Sequence, residues 1–462
     1  MLPVLMTGSF LSFLDFFIVN IALPAMRTDL QATASELQLI VAGYGIGFAV
    51  SLITGGRLGD IFGRKRVFLF GVMGFTLASA ACGLAPNAPF LIVWRVFQAV
   101  TAALVTPQVL AIIRVEFPAN ERATAIGFYS VSMGMASIVA QLVGGTLVSL
   151  DLFGLSWRLI FIINVPIGIA TTIVGARLMR ESRSEQRPNL DWSGIAIASL
   201  SLFLVIFPLV QGRELGWPSW SIICLVASLP AFGFLVWIER KIEAKGLLPL
   251  FALHLLRIPA IAYGLVLSVI FFGGLMAFFV LLTIFFQSGL GWSPLSTGLL
   301  FLPFAVGFTI ASALSGPVTS RIGNRSVPVG MLLMAVSLGA MMVLARRSEI
   351  SDFRFLVPVF ALYGLGQGLA QPGLINTILG SAGLKPADAG AAAGLFLTIA
   401  QSSMALGVAV LGNIFFTALG PAPAHADYVQ ALSIAFTCNL GLQIVAVLLV
   451  VFLPSSAAQR PQ

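Results

Sequence analysis

Two side chains of opposite charge, Asp15 and Arg95, lie inside long apolar runs of the sequence. An ionised side chain in hydrocarbon costs at least about 2.5–3.5 kcal/mol on insertion scales, so it is retained where it is useful or paired. A neighbouring opposite charge favours the carboxylate form of an acid, and desolvation favours its neutral form. Asp15 with Arg95 is therefore our candidate for proton coupling, and the alternative is a static ion pair that only fixes helix packing.

A second charged pattern, GRLGDIFGRKR, occupies residues 56–66, between the second and third apolar runs. Glycines permit a tight reversal and close helix approach. Asp60 can accept hydrogen bonds from a helix N-terminus or pair with an arginine. We expect a charged clasp on a short cytoplasmic loop, made in one state and broken in another; the alternative is a plain positively charged loop. The residues of this predicted switch are Gly56, Arg57, Asp60, Gly63, Arg64 and Lys65.

Uncharged polar residues recur at comparable depth in the apolar runs, where they could line a substrate cavity or serve as hydrogen bonds between helices. These cavity candidates are Asn20, Tyr44, Gln98, Gln141, Gln287, Gln367 and Gln401.

The sequence shows few signs of a disulfide framework, a metal site, an ATP site or an enzyme active site. The cysteines at 82, 224 and 438 lie far apart in apolar runs, so no disulfide framework or CxxC site is predicted. His254 and His425 have no partners at ligand spacing, and we predict no metal and no cofactor. The sequence has no GxxxxGK[ST] loop for ATP and no His, Asp, Ser or Cys cluster at one membrane face. An enzyme is therefore not predicted, and a membrane scaffold is disfavoured.

The elements that must position these residues are transmembrane helices. Of the 462 residues 58% are hydrophobic and 9% are charged, against about 25% charged in soluble domains. Because about 20 apolar residues cross a bilayer, the length suits about fourteen spans. The predicted spans are 2–24, 36–56, 67–85, 90–111, 123–150, 158–178, 192–212, 219–238, 259–284, 294–316, 327–345, 355–380, 388–417 and 429–453.

The basic residues orient this map. With the N-terminus inside, 18 of the 25 Lys and Arg residues lie on the inner side, six on the outer side, and Arg95 within a span. The positive-inside rule then places both termini in the cytoplasm. The chain is expected to be a multi-pass protein of the cell membrane. The net charge of +8 is thus topological and does not indicate nucleic acid. One outer cluster, Arg346, Arg347 and Arg354, departs locally from the rule.

Depth along the spans predicts which charges can meet. At about 1.5 Å per residue, Asp15 lies about 20 Å from the inner end of its span. Arg95 lies about 8 Å from the outer end of the fourth span. In a hydrocarbon core about 30 Å thick the two depths nearly coincide, and we expect the side chains to pair.

An internal repeat appears at an offset of 260 residues, which superposes Gly47 on Gly307 and Gly63 on Gly323. The second and tenth spans are therefore predicted to be equivalent. The all-α fold is expected to hold two six-helix bundles, 1–187 and 246–462, with two additional helices at 188–245. Such parallel repeats around a central cavity are typical of rocking transporters.

The segment GRLGDIFGRK closely resembles the loop 2–3 signature of the major facilitator superfamily. The stretches LDFFIVNIALP at 14–24, WRLIFIINVPIG at 157–168 and SPLSTGLLFLP at 293–303 resemble the first, sixth and tenth spans of its fourteen-span drug:proton antiporter branch. The resemblance covers nearly the whole chain. It implies proton-coupled export of small organic or drug-like compounds, with inward-open and outward-open states alternating.

The chain departs from that branch in two places. Its fifth-span motif ends in Gly-Pro-x-x-Gly-Gly, but here Ala140 and Gln141 precede the glycine pair and the proline is missing. Ala99 stands where a glycine follows the fourth-span glutamine. These differences keep open an alternative function, a facilitator or symporter of a specific small metabolite.

Overall fold

A computed structural model describes residues 1–183, 191–245, 249, 251–322, 325–347, 352–379, 381, 383–384, 389–420 and 423–452. Every regular element within these ranges is a helix. The α-helices are α1 (Leu2–Leu30), α2 (Ala34–Phe62), α3 (Arg64–Gly83), α4 (Ala88–Glu116), α5 (Ala119–Leu150), α6 (Leu159–Ile162), α7 (Asn164–Leu178), α8 (Trp192–Glu214), α9 (Ser219–Ala244), α10 (Pro259–Ile284), α11 (Pro294–Leu300), α12 (Leu302–Ile322), α13 (Ser326–Arg346), α14 (Phe353–Leu379), α15 (Ala389–Leu419) and α16 (His425–Phe452).

Thirteen stretches of the described chain are helical, long and apolar enough to cross a membrane. One of them, Ser156–Leu178, combines a short 3-10 turn with α6 and α7, and another, Pro294–Thr319, combines α11 with most of α12. The remaining predicted span, 123–150, coincides with α5, whose apolar part among the described residues is the shorter Val139–Leu150. The helical membrane architecture is confirmed, whereas the count of fourteen stays a prediction.

The helices extend beyond the predicted apolar runs because hydropathy reports depth in the bilayer, whereas a helix continues to its cap. The predicted span 36–56 is part of α2, which starts earlier and ends later. At its start, the N–H of Glu36 donates to Thr33 Oγ1 at 3.1 Å and the N–H of Thr33 donates to Glu36 Oε2 at 2.9 Å. This capping box satisfies two backbone donors that the helix itself leaves unpaired.

The first compact unit comprises Met1–Phe251 with Ser293–Gly298. Within it α1 packs on α5, α2 on α4 and α8, α3 on α4 and α7, and α8 on α9. Part of its core lies where α1, α3 and α4 meet, with Leu5, Phe68 and Ile113 fully buried. This packing brings the helices that carry the predicted charged residues together.

The second compact unit comprises Ala252–Trp292 with Leu299–Gln462. Within it α10 packs on α15, α14 on both α12 and α13, and α13 on α16. Its core is rich in aromatic rings. Phe278 of α10 stacks on Tyr363 of α14 with ring centroids 3.9 Å apart, and Phe360 lies 5.5 Å from Phe278.

The predicted repeat corresponds to a similar helix contact in each unit. A Cβ added to Gly47 on α2 would lie 3.0 Å from the carbonyl oxygen of Val96 on α4. A Cβ added to Gly307 on α12 would likewise meet the carbonyl oxygen of Ala361 on α14. Both glycines therefore permit close backbone approach between the paired helices.

Several predictions fall outside the described residues. Gly323, the predicted equivalent of Gly63, is among them. So are residues 184–190 and 246–248, where the predicted domain boundaries lie.

Candidate functional site

Asp15 on α1 and Arg95 on α4 form an ion pair in which Arg95 Nη1 donates to Asp15 Oδ2. The two side chains are 0% and 1% exposed, respectively. The structure thus brings together the two charged residues whose depths along their spans nearly coincide. Removing only one partner of such a pair strongly destabilises a protein, because it leaves a buried charge uncompensated.

Two amide side chains complete the surroundings of the Asp15 carboxylate. Gln98 Nε2 donates to Asp15 Oδ1 at 2.9 Å, and Asn164 Nδ2 donates to the same oxygen at 3.2 Å. Gln98 also accepts from Arg95, with Arg95 Nη1 2.7 Å from Gln98 Oε1. The carboxylate therefore receives donors from both α4 and α7.

Ser79 on α3 closes this network. Its Oγ accepts from Gln98 Nε2 at 3.2 Å and from Asn164 Nδ2 at 3.0 Å. The same hydroxyl donates to the backbone oxygen of Phe161 at 3.0 Å. We call Asp15, Ser79, Arg95, Gln98 and Asn164 the Asp15 cluster. It joins α1, α3, α4 and α7 inside the first unit.

The face of the Arg95 guanidinium packs against aromatic rings. Its Cζ lies 4.2 Å from the ring centroid of Tyr44 and 5.6 Å from that of Phe161. The Tyr44 hydroxyl donates to the carbonyl oxygen of Ser12 at 3.2 Å. Tyr44, a predicted cavity residue, therefore holds the cation of the cluster through a cation–π contact.

Asn164 and Ser79 were not predicted from the sequence. Asn164 had a usable signal, since it is a polar residue within the apolar segment WRLIFIINVPIG. Ser79 had none, because small hydroxyl residues are common between membrane helices.

The structure corrects the prediction of a loop at 56–66. The helix α2 continues to Phe62 and α3 begins at Arg64, so Gly63 alone lies between them. Gly63 has φ 107° and ψ 133°, a conformation that favours glycine. Gly56 is helical, and a Cβ there would have ordinary contact with Pro107 at 3.6 Å. The reversal therefore depends on Gly63 and not on Gly56.

Charged side chains clasp this reversal from two sides. Arg64 Nη2, at the start of α3, lies 2.9 Å from Oδ1 of Asp60 in the last turn of α2. Glu181 Oε1 accepts from the backbone N–H of Lys65 at 3.1 Å, and Glu181 Oε2 lies 3.6 Å from Arg66 Nε. Asp60 thus pairs with an arginine, while Glu181, which we did not predict, binds the N-terminus of α3.

Comparison with known proteins identifies the family. The family model described as Major Facilitator Superfamily matches residues 5–408. The chain belongs to the major facilitator superfamily. A similar protein is the probable actinorhodin transporter of Streptomyces coelicolor, 37% identical over 422 residues, which are 91% of this chain and 72% of that one. Another is the tetracenomycin C resistance and export protein of Streptomyces glaucescens, 36% identical over 88% of this chain and 74% of that one.

The fold agrees with that assignment. A solved structure of a bacterial homologue of the human lysosomal transporter Spinster, inward-facing and unoccupied, has a TM-score of 0.71 at 16% identity. The match covers 97% of this chain and 95% of the other. The two Streptomyces export proteins, and not this solved structure, confirm the predicted membrane transporter of the drug-efflux type.

In this major facilitator transporter Arg57 is directed away from Asp60. Its Nη2 donates to the carbonyl oxygen of Pro249 at 2.5 Å. Burial lowers the pKa of Arg57, while the nearby carboxylates of Asp191 and Glu239 raise it. Glu239 also accepts from the N–H of Phe251 at 3.1 Å. Arg57 therefore connects the end of α2 with α8, α9 and the segment that follows them.

The remaining cavity candidates of the first unit, Asn20 and Gln141, make no hydrogen bond with the Asp15 cluster among the residues described. Asn20 and Gln141 are 0% and 3% exposed. Within the described part of the chain neither amide has a hydrogen-bond partner. Unsatisfied buried amides are costly, which is compatible with a ligand-facing role.

The candidates of the second unit lie on separate elements. Gln287 is in the π-helical turn Phe285–Gly289 that follows α10. Gln367 on α14 donates to Gln371 Oε1 at 3.4 Å, and Gln401 lies on α15.

Proposed function

We propose that this transporter exports small organic compounds in exchange for protons, and that Asp15 is the acid that carries the proton. The observation that supports this most strongly is the fully buried Asp15 carboxylate with its ionic partner Arg95. Burying two charges in a membrane protein is costly, and such residues commonly mark proton pathways, so the pair is a candidate for proton transfer.

The Asp15 cluster is built to hold Arg95 in both protonation states. When Asp15 takes up a proton, the guanidinium loses its counter-charge. It keeps its hydrogen bond to Gln98 and its contact with the Tyr44 ring. Gln98 and Asn164 are neutral donors, and a protonated carboxyl group can still accept through its carbonyl oxygen. Asp15 can therefore change charge without dismantling the packing around it.

Alternating access supplies the cycle. Opening to one side changes the hydration of Asp15, which shifts the balance between its neutral and charged forms. The acid then takes up a proton in the outward-open state and releases it in the inward-open state. The 56–66 segment acts on the balance between these states, because its clasp between Asp60 and Arg64 can be made or broken.

We also propose the complete layout of the chain. It has fourteen spans arranged as six, two and six, with α5 as the span beyond the thirteen found. The bundles are residues 1–187 and 246–462, and the additional helices lie in 188–245. Both termini are in the cytoplasm and the transporter is in the cell membrane. The seven cavity candidates named above are proposed to contact substrate.

The test is transport by the purified protein in proteoliposomes. Tetracenomycin C is a suitable first compound, since a relative is named for its export. We expect an imposed pH gradient to drive accumulation in the wild type and to fail in Asp15→Asn. Substrate exchange without a pH gradient should persist in Asp15→Asn, because exchange needs no proton cycle.

The matched control is Asp29→Asn, which alters another arginine-paired acid of α1. It should keep proton-driven accumulation. If Asp15→Asn still concentrates substrate by using protons, Asp15 is not the coupling acid. If the wild type equilibrates substrate without moving protons, the protein is a facilitator.

A further inference from the structure

An open surface cavity of about 470 Å³ in the second unit is lined by one face of α16 and by the last residue of α13. Arg346, the last residue of α13, stands at its rim. From α16 the cavity is lined by Ala426, Val429, Gln430, Ser433, Ile434, Thr437 and Cys438. These residues recur at helical spacing and so form one face of α16.

The cavity has a charged end and an apolar side. Arg346 and Gln430 lie near the ends of their helices, while Ile434 lies one turn further along α16 and is 39% exposed. Because α13 and α16 are both long and apolar enough to cross a membrane, this exposed side faces lipid. A ligand that fits must therefore combine a polar head with an apolar tail.

Two polar groups of the cavity call for a ligand. Ser433 is 8% exposed, and its buried hydroxyl has no hydrogen-bond partner among the residues described. Such a group is unfavourable unless something pairs with it. Among all the residues that the structure describes, no carboxylate lies within ion-pair distance of Arg346. Arg346 also belongs to the basic cluster that departs from the positive-inside pattern of the sequence.

We propose that this cavity binds an anionic phospholipid. The phosphate oxygens accept from the Arg346 guanidinium and from the Ser433 hydroxyl, and Gln430 binds the polar part of the headgroup. An acyl chain lies along the apolar face of α16 at Ile434. The volume is that of a small-ligand site, and the open, lipid-facing side favours a membrane lipid over a soluble phosphate.

The first test is native mass spectrometry of the purified transporter with added phosphatidylglycerol or phosphatidylcholine. We expect tighter binding of phosphatidylglycerol, and Arg346→Gln should weaken it about ten-fold, the factor that corresponds to one charge-assisted hydrogen bond. Ser433→Ala should weaken it several-fold. The matched control is Arg347→Gln, which removes the same charge one residue outside the cavity lining.

Two results would overturn the proposal. One is equal affinity for the two lipids, and the other is equal weakening by Arg346→Gln and Arg347→Gln. Inorganic phosphate is the third arm: if it displaces phosphatidylglycerol at millimolar concentration, the site binds a soluble anion and the lipid assignment is wrong.

A second measurement needs no substitution and so does not depend on the variants folding. Cys438 lines the cavity and is exposed, whereas Cys224 on α9 lies elsewhere. In nanodiscs that contain phosphatidylglycerol, alkylation of Cys438 by N-ethylmaleimide should be several-fold slower than in phosphatidylcholine nanodiscs. The rate at Cys224 should not change. Equal rates at Cys438 in both lipids would contradict the proposal.

Discussion

Glu181 binds the backbone N–H of Lys65 at 3.1 Å, and this contact ties the chain after α7 to the first turn of α3. Lys65 strengthens the connection, since its Nζ donates to the carbonyl oxygen of Ala176 at 2.7 Å. The reversal at Gly63 is therefore held by α7 as well as by the pair of Asp60 with Arg64. Substitution of Gly63 tests the backbone conformation of the reversal, and substitution of Asp60 tests its ion pair.

Gly63→Ala should destabilise the protein. The backbone at Gly63 has φ 107°, and an added Cβ would lie 2.5 Å from Glu181 Cδ. Left-handed backbone strain costs about 1–3 kcal/mol, so we expect a lower Tm in detergent than for the wild type. The control is Gly56→Ala. Gly56 lies inside α2, where an added Cβ would be in ordinary van der Waals contact with Pro107, so the Tm should be unchanged or slightly raised. Equal Tm values for the two variants would contradict this account of the reversal.

Asp60→Asn should slow transport while expression and substrate binding stay close to those of the wild type. The substitution weakens the pair with Arg64 and so changes the balance between conformational states without altering the cavity. Arg64→Gln should have a similar effect, and the double variant should be little worse than either single one. Transport rates and equilibrium binding of the same compound provide the measurement. Unchanged transport in Asp60→Asn would leave the segment with a topological role only.

The central pair was predictable, because two lone charges at matching depths in apolar spans have few other partners. Asn164 was harder to find, since an amide in a membrane helix serves equally well as a packing hydrogen bond. Glu181 could not be found in this way, because it lies in a polar segment where many charges are equivalent by sequence. The loop prediction was wrong at Gly56–Phe62 because charge and glycine content mark the membrane surface, whereas the helix ends only at the conformation of Gly63.

Cysteine labelling should report the proposed orientation. In a variant with the three native cysteines replaced by serine, Phe153→Cys offers an outer position that is 94% exposed. Arg180→Cys offers an exposed inner position after α7. An impermeant maleimide added to intact cells should label the first and not the second, and both should react after lysis. Ready labelling of Arg180→Cys in intact cells would reverse the map.

Arg57→Ala should loosen the attachment of α8 and α9 to α2. Asp191 and Glu239 are 7% and 0% exposed, and they would lose a nearby cation. We expect a loss of about 1.5–3 kcal/mol, typical of hydrogen bonds to charged groups, seen as a lower Tm in detergent. Arg57→Lys should recover part of it by restoring the charge.

The control for Arg57 is Arg66→Ala. Its side chain is 69% exposed and its ion pair with Glu181 is long, so its removal should have little effect on the Tm. A Tm for Arg57→Ala equal to that of Arg66→Ala would show that Arg57 does not anchor the two additional helices.

The Asp15 and Arg95 variants should differ in how their stability depends on pH. Asp15→Asn leaves a buried guanidinium that cannot lose its proton, so its lower Tm should be nearly independent of pH. Arg95→Gln leaves a buried acid that is tolerated when neutral and costly when charged. Its folded state therefore holds the proton more tightly than its unfolded state. Because the folded state then binds more protons, its stability should fall as pH rises.

The double variant, Asp15→Asn with Arg95→Gln, removes both charges. It distinguishes an effect of the pair on the stability of the fold from an effect on proton-driven transport. Breaking a buried pair from one side costs about 3–5 kcal/mol because one charge is left uncompensated, whereas the double variant leaves no charge uncompensated. We therefore expect the double variant to have a higher Tm than either single variant and to lack the fall in stability with rising pH that is expected for Arg95→Gln. If the pair only fixes helix packing, this stable variant should regain proton-driven transport. If Asp15 carries the proton, as we propose, accumulation should stay abolished although the fold is restored.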